Sequence, residues 1–167
     1  MLSRRQYLAA ACATFLIAGC STLTSIDDQI YLKNNTWSGR LSLRTLGDAP
    51  DHWVVSFVLR GTAERGDLTL LSPLGSTLAR AHWSPGLAEL EQGGSTRAYA
   101  DLPALTTAIS GSPLPVAAMF SWLRGEALSA GGWTPQLDGL DRGRLQAHRA
   151  WPAPAAEIRV VLDAPAH

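Results

Sequence analysis

The chain has 167 residues, 14 Lys and Arg against 14 Asp and Glu for a formal net charge of zero, and 46% hydrophobic residues. Nothing in that balance suggests the basic stripe of a nucleic-acid-binding domain, and the length fits one domain. With two cysteines in all, Cys12 and Cys20, the chain has neither a disulfide framework nor a cysteine-rich metal centre.

Arg4 and Arg5 precede an uncharged apolar run from Tyr7 to Ala18. It is too short to span a bilayer, which takes about 20 apolar residues, and reads as a secretory signal. Ala18-Gly19-Cys20 resembles a bacterial lipobox, with cleavage before Cys20 and lipid on its sulfur and new amine. The rival reading is a plain signal with an incidental Cys20, but the polar run Ser21 to Ser25 suits a lipid-anchored tether better. Residue 21 is Ser and not Asp, which in lipoproteins of this kind implies the outer membrane. Cleavage removes Cys12 and uses Cys20, so the mature chain of about 148 residues has no free thiol. The expected division is a signal at 1–19, a lipidated tether at 20–35 and a single β domain at 36–167.

From Trp37 the pattern has period two. Trp37, Gly39, Leu41 and Leu43 share one face and Ser38, Arg40, Ser42 and Arg44 the other, as in a half-buried antiparallel strand. After the 47–51 loop, Trp53, Val55, Phe57 and Leu59 repeat that alternation. Gly61 to Gly66 turns the chain into a third strand, Asp67 to Leu71, and Leu78 to Trp83 forms a fourth. Between those two lies Ser72-Pro73-Leu74-Gly75-Ser76-Thr77. Pro73 presets φ near −65° and Gly75 tolerates positive φ, so Leu74 is expected at the tip of a tight projecting turn. Leu87 to Glu91 and Thr96 to Ala100 make a hairpin about Gln92-Gly93-Gly94-Ser95. Short strands at such spacing predict an antiparallel meander curved into a barrel or sandwich and disfavour a parallel βαβ fold.

Asp101 is placed to cap a helix over Leu102 to Ser110 that Gly111 stops. After the rigid link Ser112-Pro113-Leu114-Pro115, Val116, Met119, Phe120 and Leu123 recur at helical spacing, so a second short helix has one apolar face and ends at Gly125. Trp133 stands isolated in a glycine-rich loop. Between Gly143 and Leu162 two strands fit, interrupted by Trp151-Pro152-Ala153-Pro154-Ala155, with Ile158, Val160 and Leu162 on the closing strand.

Catalytic signals are thin. His52, His82, His148 and His167 form no pair at metal-ligand spacing, no Gly-x-Ser-x-Gly elbow occurs, and no glycine loop opens a helix. His82, beside Trp83, reads as a solvated or hydrogen-bonded side chain. The recurrent side chains are large and apolar, and by composition alone they fill an ordinary core.

Cys20, Trp37-Ser-Gly-Arg-Leu-Ser-Leu43, Leu68 through Thr77, Gly111-Ser-Pro-Leu-Pro115 and Trp122-Leu-Arg-Gly125 together resemble, in that order, the LolB outer-membrane lipoprotein receptors. Beyond Gly125 the resemblance thins. It implies a mainly β fold, a half-open antiparallel barrel with short helices covering the mouth of an apolar cavity. It implies a non-enzymatic receptor on the periplasmic side of the outer membrane. Such receptors take triacylated lipoproteins from a LolA-like carrier and deliver them to the inner leaflet of that membrane as monomers. They need no metal, nucleotide or other cofactor beyond the lipid on Cys20. By the same resemblance, Pro73, Leu74 and Gly75 form the membrane-delivery loop, and Trp37, Leu41, Leu43, Trp53, Val55, Phe57, Leu68, Leu70, Met119, Phe120 and Trp122 line the cavity or its lid. The family ends with more sheet than this chain offers, which leaves open a less closed barrel or a shortened variant with altered cargo handling. Two other classes compete: a structural outer-membrane lipoprotein with a solid core that scaffolds partners, and an envelope hydrolase built from dispersed Ser, His and Asp.

Overall fold

The computed structural model describes residues 35–47, 50–111 and 113–164. Within them the chain forms β1 (Thr36–Thr45), β2 (His52–Gly61), β3 (Gly66–Leu71), β4 (Thr77–Ser84), β5 (Leu87–Gln92) and β6 (Ser95–Tyr99). Helices α1 (Leu102–Ser110) and α2 (Val116–Leu123) follow. The chain then returns to strands with β7 (Trp133–Gln136), a 3₁₀ turn (Leu140–Arg142), β8 (Arg144–Arg149) and β9 (Ala156–Leu162). All strands join one antiparallel sheet ordered β6-β5-β4-β3-β2-β1-β9-β8-β7. The sheet does not close: β6 and β7 remain its two edges.

Period two in the sequence becomes the inner and outer faces of this sheet. On β1, Gly39, Leu41 and Leu43 are buried while Arg40 and Arg44 are exposed. On β2, Val55, Phe57 and Leu59 point inward and pair across to Leu41, Gly39 and Trp37. Leu68 and Leu70 of β3, Trp83 of β4 and Ile158 and Val160 of β9 continue the apolar wall. Each buried Leu, Val or Ile contributes about 1.5–3 kcal/mol relative to exposure, so a one-residue slip in register would forfeit the whole face.

The helices are built from local chemistry. The Asp101 carboxylate accepts the Ala104 N–H at 2.8 Å and caps α1, and Gly111 ends it at φ 71°. The Thr106 hydroxyl, fully buried, donates to the Pro103 carbonyl at 3.0 Å and accepts the Leu114 N–H at 3.2 Å. That single hydroxyl ties α1 to the link that introduces α2, whose apolar side carries Val116, Met119, Phe120 and Leu123.

Antiparallel succession sorts the turns into two rims. Those after β1, β3, β5 and β8 lie at one end of the sheet; those after β2, β4 and β7, together with the start of β1, lie at the other.

The C-terminal third differs from the sequence reading. Trp133 is not isolated in a loop: it opens β7, is 2% exposed and faces Arg149 of β8 in register. The sheet therefore gains an edge strand upstream of the two strands expected, and the apparent shortage of sheet disappears. Pro135 sits within β7, which is tolerated because β7 is an edge. The Pro-Ala stretch is the connection of the β8–β9 hairpin.

Candidate functional site

The concave side of the sheet is closed by α2. Phe120 meets Trp37 edge-on, with centroids 5.7 Å apart and planes at 70°, and lies 6.2 Å from Trp83. Aromatic contacts of this kind contribute about 0.5–1.5 kcal/mol each beyond area burial. The Trp122 indole N–H donates to the Leu128 carbonyl at 2.6 Å, and that of Trp83 to the Thr62 carbonyl at 3.1 Å, so both buried rings have their one donor satisfied. Beneath α2 remains an internal cavity of about 10 Å³ lined by Leu41, Trp53, Phe57, Leu68, Leu70 and Met119 among others. It holds at most one water and no acyl chain. The conformation is shut.

All eleven cavity or lid residues taken from the sequence face this interior or its helix. Leu41, Leu43, Val55, Phe57, Leu68, Leu70, Met119, Phe120 and Trp122 are buried, and Trp37 and Trp53 are half-buried against them. Trp37, Leu43, Val55, Phe120 and Trp122 do not border the small void; they pack around it.

A larger space lies outside the plug. An open groove of about 400 Å³ runs between the α1–α2 region and the β7 edge, its walls including Leu102, Pro113, Ala117, Ala130, Trp133 and Pro152. These walls are almost wholly apolar. At its floor the Arg149 guanidinium lies 5.0 Å over the Trp133 ring, and Nη2 donates to the Pro154 carbonyl at 3.0 Å. Burial lowers the Arg149 pKa from its ordinary value by desolvating the charge. Sequence reasoning missed this groove, because Trp133 and Arg149 come together only through pairing of β7 with β8. The one available signal was a lone tryptophan four residues before Leu137 and seven before Leu140, where the apolar pattern resumes.

Leu74 sits where the turn chemistry puts it. The Gly75 N–H donates to the Ser72 carbonyl at 2.9 Å, the Ser72 N–H to the Ser76 carbonyl at 2.8 Å, and Gly75 adopts φ 85°. A turn followed by a left-handed glycine tightens the hairpin and leaves Leu74 at the tip, 94% exposed.

Dispersed polar residues do not assemble around this interior. The His82 Nδ1–H donates to the Asp67 carboxylate at 2.8 Å on the outer face, both half-exposed. Ser42 Oγ lies 3.1 Å from His52 Nε2, but the Asp51 carboxylate accepts the backbone N–H of His52 and not a ring proton. Among the described residues no three His, Cys, Asp or Glu cluster at metal-binding distance, and no helix is long and apolar enough to cross a membrane. Cys20, the signal and the tether lie outside the described residues.

An open antiparallel sheet curled round an apolar interior that short helices close defines the LolA/LolB-like class of half-open barrels. A sequence model described as "Outer membrane lipoprotein LolB" matches residues 33–152, and the chain belongs to that family. The match runs past Gly125 and takes in β7, β8 and the groove. The chain is 35% identical over 146 residues to the outer-membrane lipoprotein LolB of Bordetella petrii, covering 85% of this chain and 68% of the relative. It is 35% identical over 154 residues to the protein of the same name in Chromobacterium violaceum, covering 89% and 78%. With that of Shewanella woodyi it shares 32% identity over 120 residues, covering 67% and 54%.

Proposed function

We propose that this protein is an outer-membrane lipoprotein receptor. It accepts triacylated lipoproteins from a LolA-like periplasmic carrier and delivers them into the inner leaflet of the outer membrane, anchored there by lipid on Cys20. Family membership supports the lipoprotein-localisation role. The observation that carries the mechanism is an apolar barrel interior held shut by a helix rather than by a solid wall, with an apolar groove beside it. Carrier and cargo are assigned by the same reading.

The physical need is clear. Exposing acyl chain to water costs about 0.8 kcal/mol per CH₂, hence on the order of 10 kcal/mol per chain and 30 for three. A barrier near 30 kcal/mol corresponds to release at a rate on the order of 10⁻⁹ s⁻¹. Cargo must therefore pass directly between apolar surfaces. The void under α2 is far too small for a chain, so loading requires α2 to move away from Trp37 and Trp83 while the groove extends inward. Chain methylenes then replace the contacts that α2 gives up, and the exchange of apolar surface for apolar surface is nearly neutral.

Delivery is the role of Leu74. Burying one leucine is worth about 1.5–3 kcal/mol, too little to anchor a protein and enough to seat a loop in a bilayer surface. Leu74→Glu is expected to leave folding and cargo uptake nearly unchanged and to slow transfer from the receptor to liposomes by about tenfold or more. Unchanged transfer in that variant would defeat the delivery role. Stoichiometric binding of an apolar fluorescent probe separates the receptor from a scaffold with a solid core, which would bind none.

A further inference from the structure

Leu74 is not the only apolar side chain held out from its rim. The turn after β8 presents Trp151 with 76% of its surface exposed, and the turn after β1 presents Leu46 at 39%. All three belong to the rim formed by the turns after β1, β3, β5 and β8. Single exposed apolar residues are common and carry no message, but these share a rim almost empty of charge. Among the described residues of its four turns, Asp51 is the lone charged side chain, with Asp48 near it in sequence. The opposite rim carries Glu64, Arg65, Asp138, Asp141 and Arg142. The turns at one end of the barrel are nearly free of charge and those at the other are not, with Arg44, His52, Glu157 and Arg159 on the outer face just behind the uncharged turns.

The exposure of Trp151 is fixed by its supports. Arg149 Nη2 donates to the Pro154 carbonyl at 3.0 Å, the Leu46 N–H donates to the Ala155 carbonyl at 2.7 Å, and the backbone of Gly132 packs directly against the Trp151 carbonyl. Pro152, the next residue, forms part of the groove wall. Trp151 thus stands at the point where the groove meets the uncharged rim. An indole with an apolar body and one N–H donor suits the boundary between headgroups and acyl chains, where tryptophan concentrates in membrane proteins.

We propose that the 150–155 connection is a second bilayer contact, with Trp151 entering the headgroup region of the membrane on the same rim as Leu74. Two contacts set apart along the rim fix a line in the membrane surface and remove one of the two tilts that a single contact leaves free. With both seated, the end of the groove at Pro152 faces lipid, so a chain leaving the groove enters the bilayer without crossing water. The inference rests on the delivery reading given above and adds to it an orientation and a residue.

The test uses the full lipidated chain reconstituted into phosphatidylethanolamine–phosphatidylglycerol vesicles with brominated acyl chains, which quench tryptophan on contact. Wild-type protein is expected to show a quenched component that disappears in Trp151→Phe, while iodide in the aqueous phase fails to quench it. Trp151→Glu is expected to slow transfer of a lipoprotein to those vesicles by about tenfold, the scale of one lost apolar contact, with uptake from a carrier unchanged. If Trp151 stays open to iodide and unquenched by bromine, or if Trp151→Glu transfers normally while Leu74→Glu does not, the second contact is wrong and the delivery reading stands. If Trp151 is quenched by bromine but Leu74→Glu transfers normally, the contact stands and the role given to Leu74 fails. Loss of carrier uptake in Trp151→Glu with lipid contact absent assigns the surface to a protein partner and overturns the proposal.

Discussion

A methyl group at position 132 would lie 1.7 Å from the Trp151 carbonyl oxygen, and the residue sits at φ +81°. Gly132 is therefore fixed twice, by backbone conformation and by the space the β8–β9 connection occupies. Gly75, at φ +85°, is fixed once, since nothing lies within 4 Å of the position a side chain would take. The two substitutions separate clash from strain. Gly75→Ala is expected to cost about 1 kcal/mol, the ordinary penalty for forcing a side chain into the left-handed region. Gly132→Ala is expected to cost roughly 3 kcal/mol, lowering Tm by about 10 °C, and also to loosen the 150–155 connection so that Trp151 fluorescence changes. Thermal melts of the two variants side by side check this; equal losses would mean that the connection yields freely and that Gly132 does not position it.

At the scale of the element, the proposed loading path makes α2 a plug rather than a pillar. Phe120 fills the space between Trp37 and Trp83, and its removal opens volume where the apolar interior is otherwise down to about 10 Å³. Phe120→Ala is expected to destabilise the fold by about 3–5 kcal/mol and yet to raise the affinity for an apolar fluorescent probe. Urea denaturation and probe titration should move in opposite directions. If binding falls in step with stability, Phe120 is ordinary core and α2 does not gate the interior. The helix itself was legible in the sequence, because Val116, Met119, Phe120 and Leu123 repeat at helical spacing, as were strands β1 to β6, α1 with its Asp101 cap, and the turn that lifts Leu74. β7 was not. Its four residues include a proline and follow Gly131-Gly132, and only the edge position revealed by pairing explains why Pro135 is allowed there. The shut interior was hidden for a different reason: period two states which residues share a face, and says nothing of what fills the space that face encloses. The groove was hidden because the Trp133–Arg149 contact joins positions 16 apart through strand register alone.

For the whole molecule, the two rims and the tether set a length problem. β1 begins at Thr36 on the charged rim, beside Arg60 and the turn after β2, while Leu74 and Trp151 project from the other. Its 10 residues run about 31 Å along the strand at ~3.4 Å per step, which at the usual barrel tilt of about 40° is about 24 Å of wall height. With lipid on Cys20, as proposed, residues 21–35 must lead from the bilayer back to the far rim. Fully extended they reach about 50 Å. That covalent reach is long enough to let the uncharged rim meet the membrane. Deleting residues 24–33 cuts the maximum reach to about 17 Å, short of the wall. The anchored barrel could then meet the bilayer only with its charged rim or its side, and transfer of cargo to the membrane is expected to fall several-fold even though Leu74, Trp151 and the groove are intact. Replacing 24–33 with a Gly-Ser segment of equal length should restore transfer, because reach and not sequence is what the geometry demands. A soluble form without Cys20 should be insensitive to the same deletion, having no anchor to orient against. Full transfer by the shortened, anchored protein would show that the barrel does not stand on the rim bearing Leu74 and Trp151.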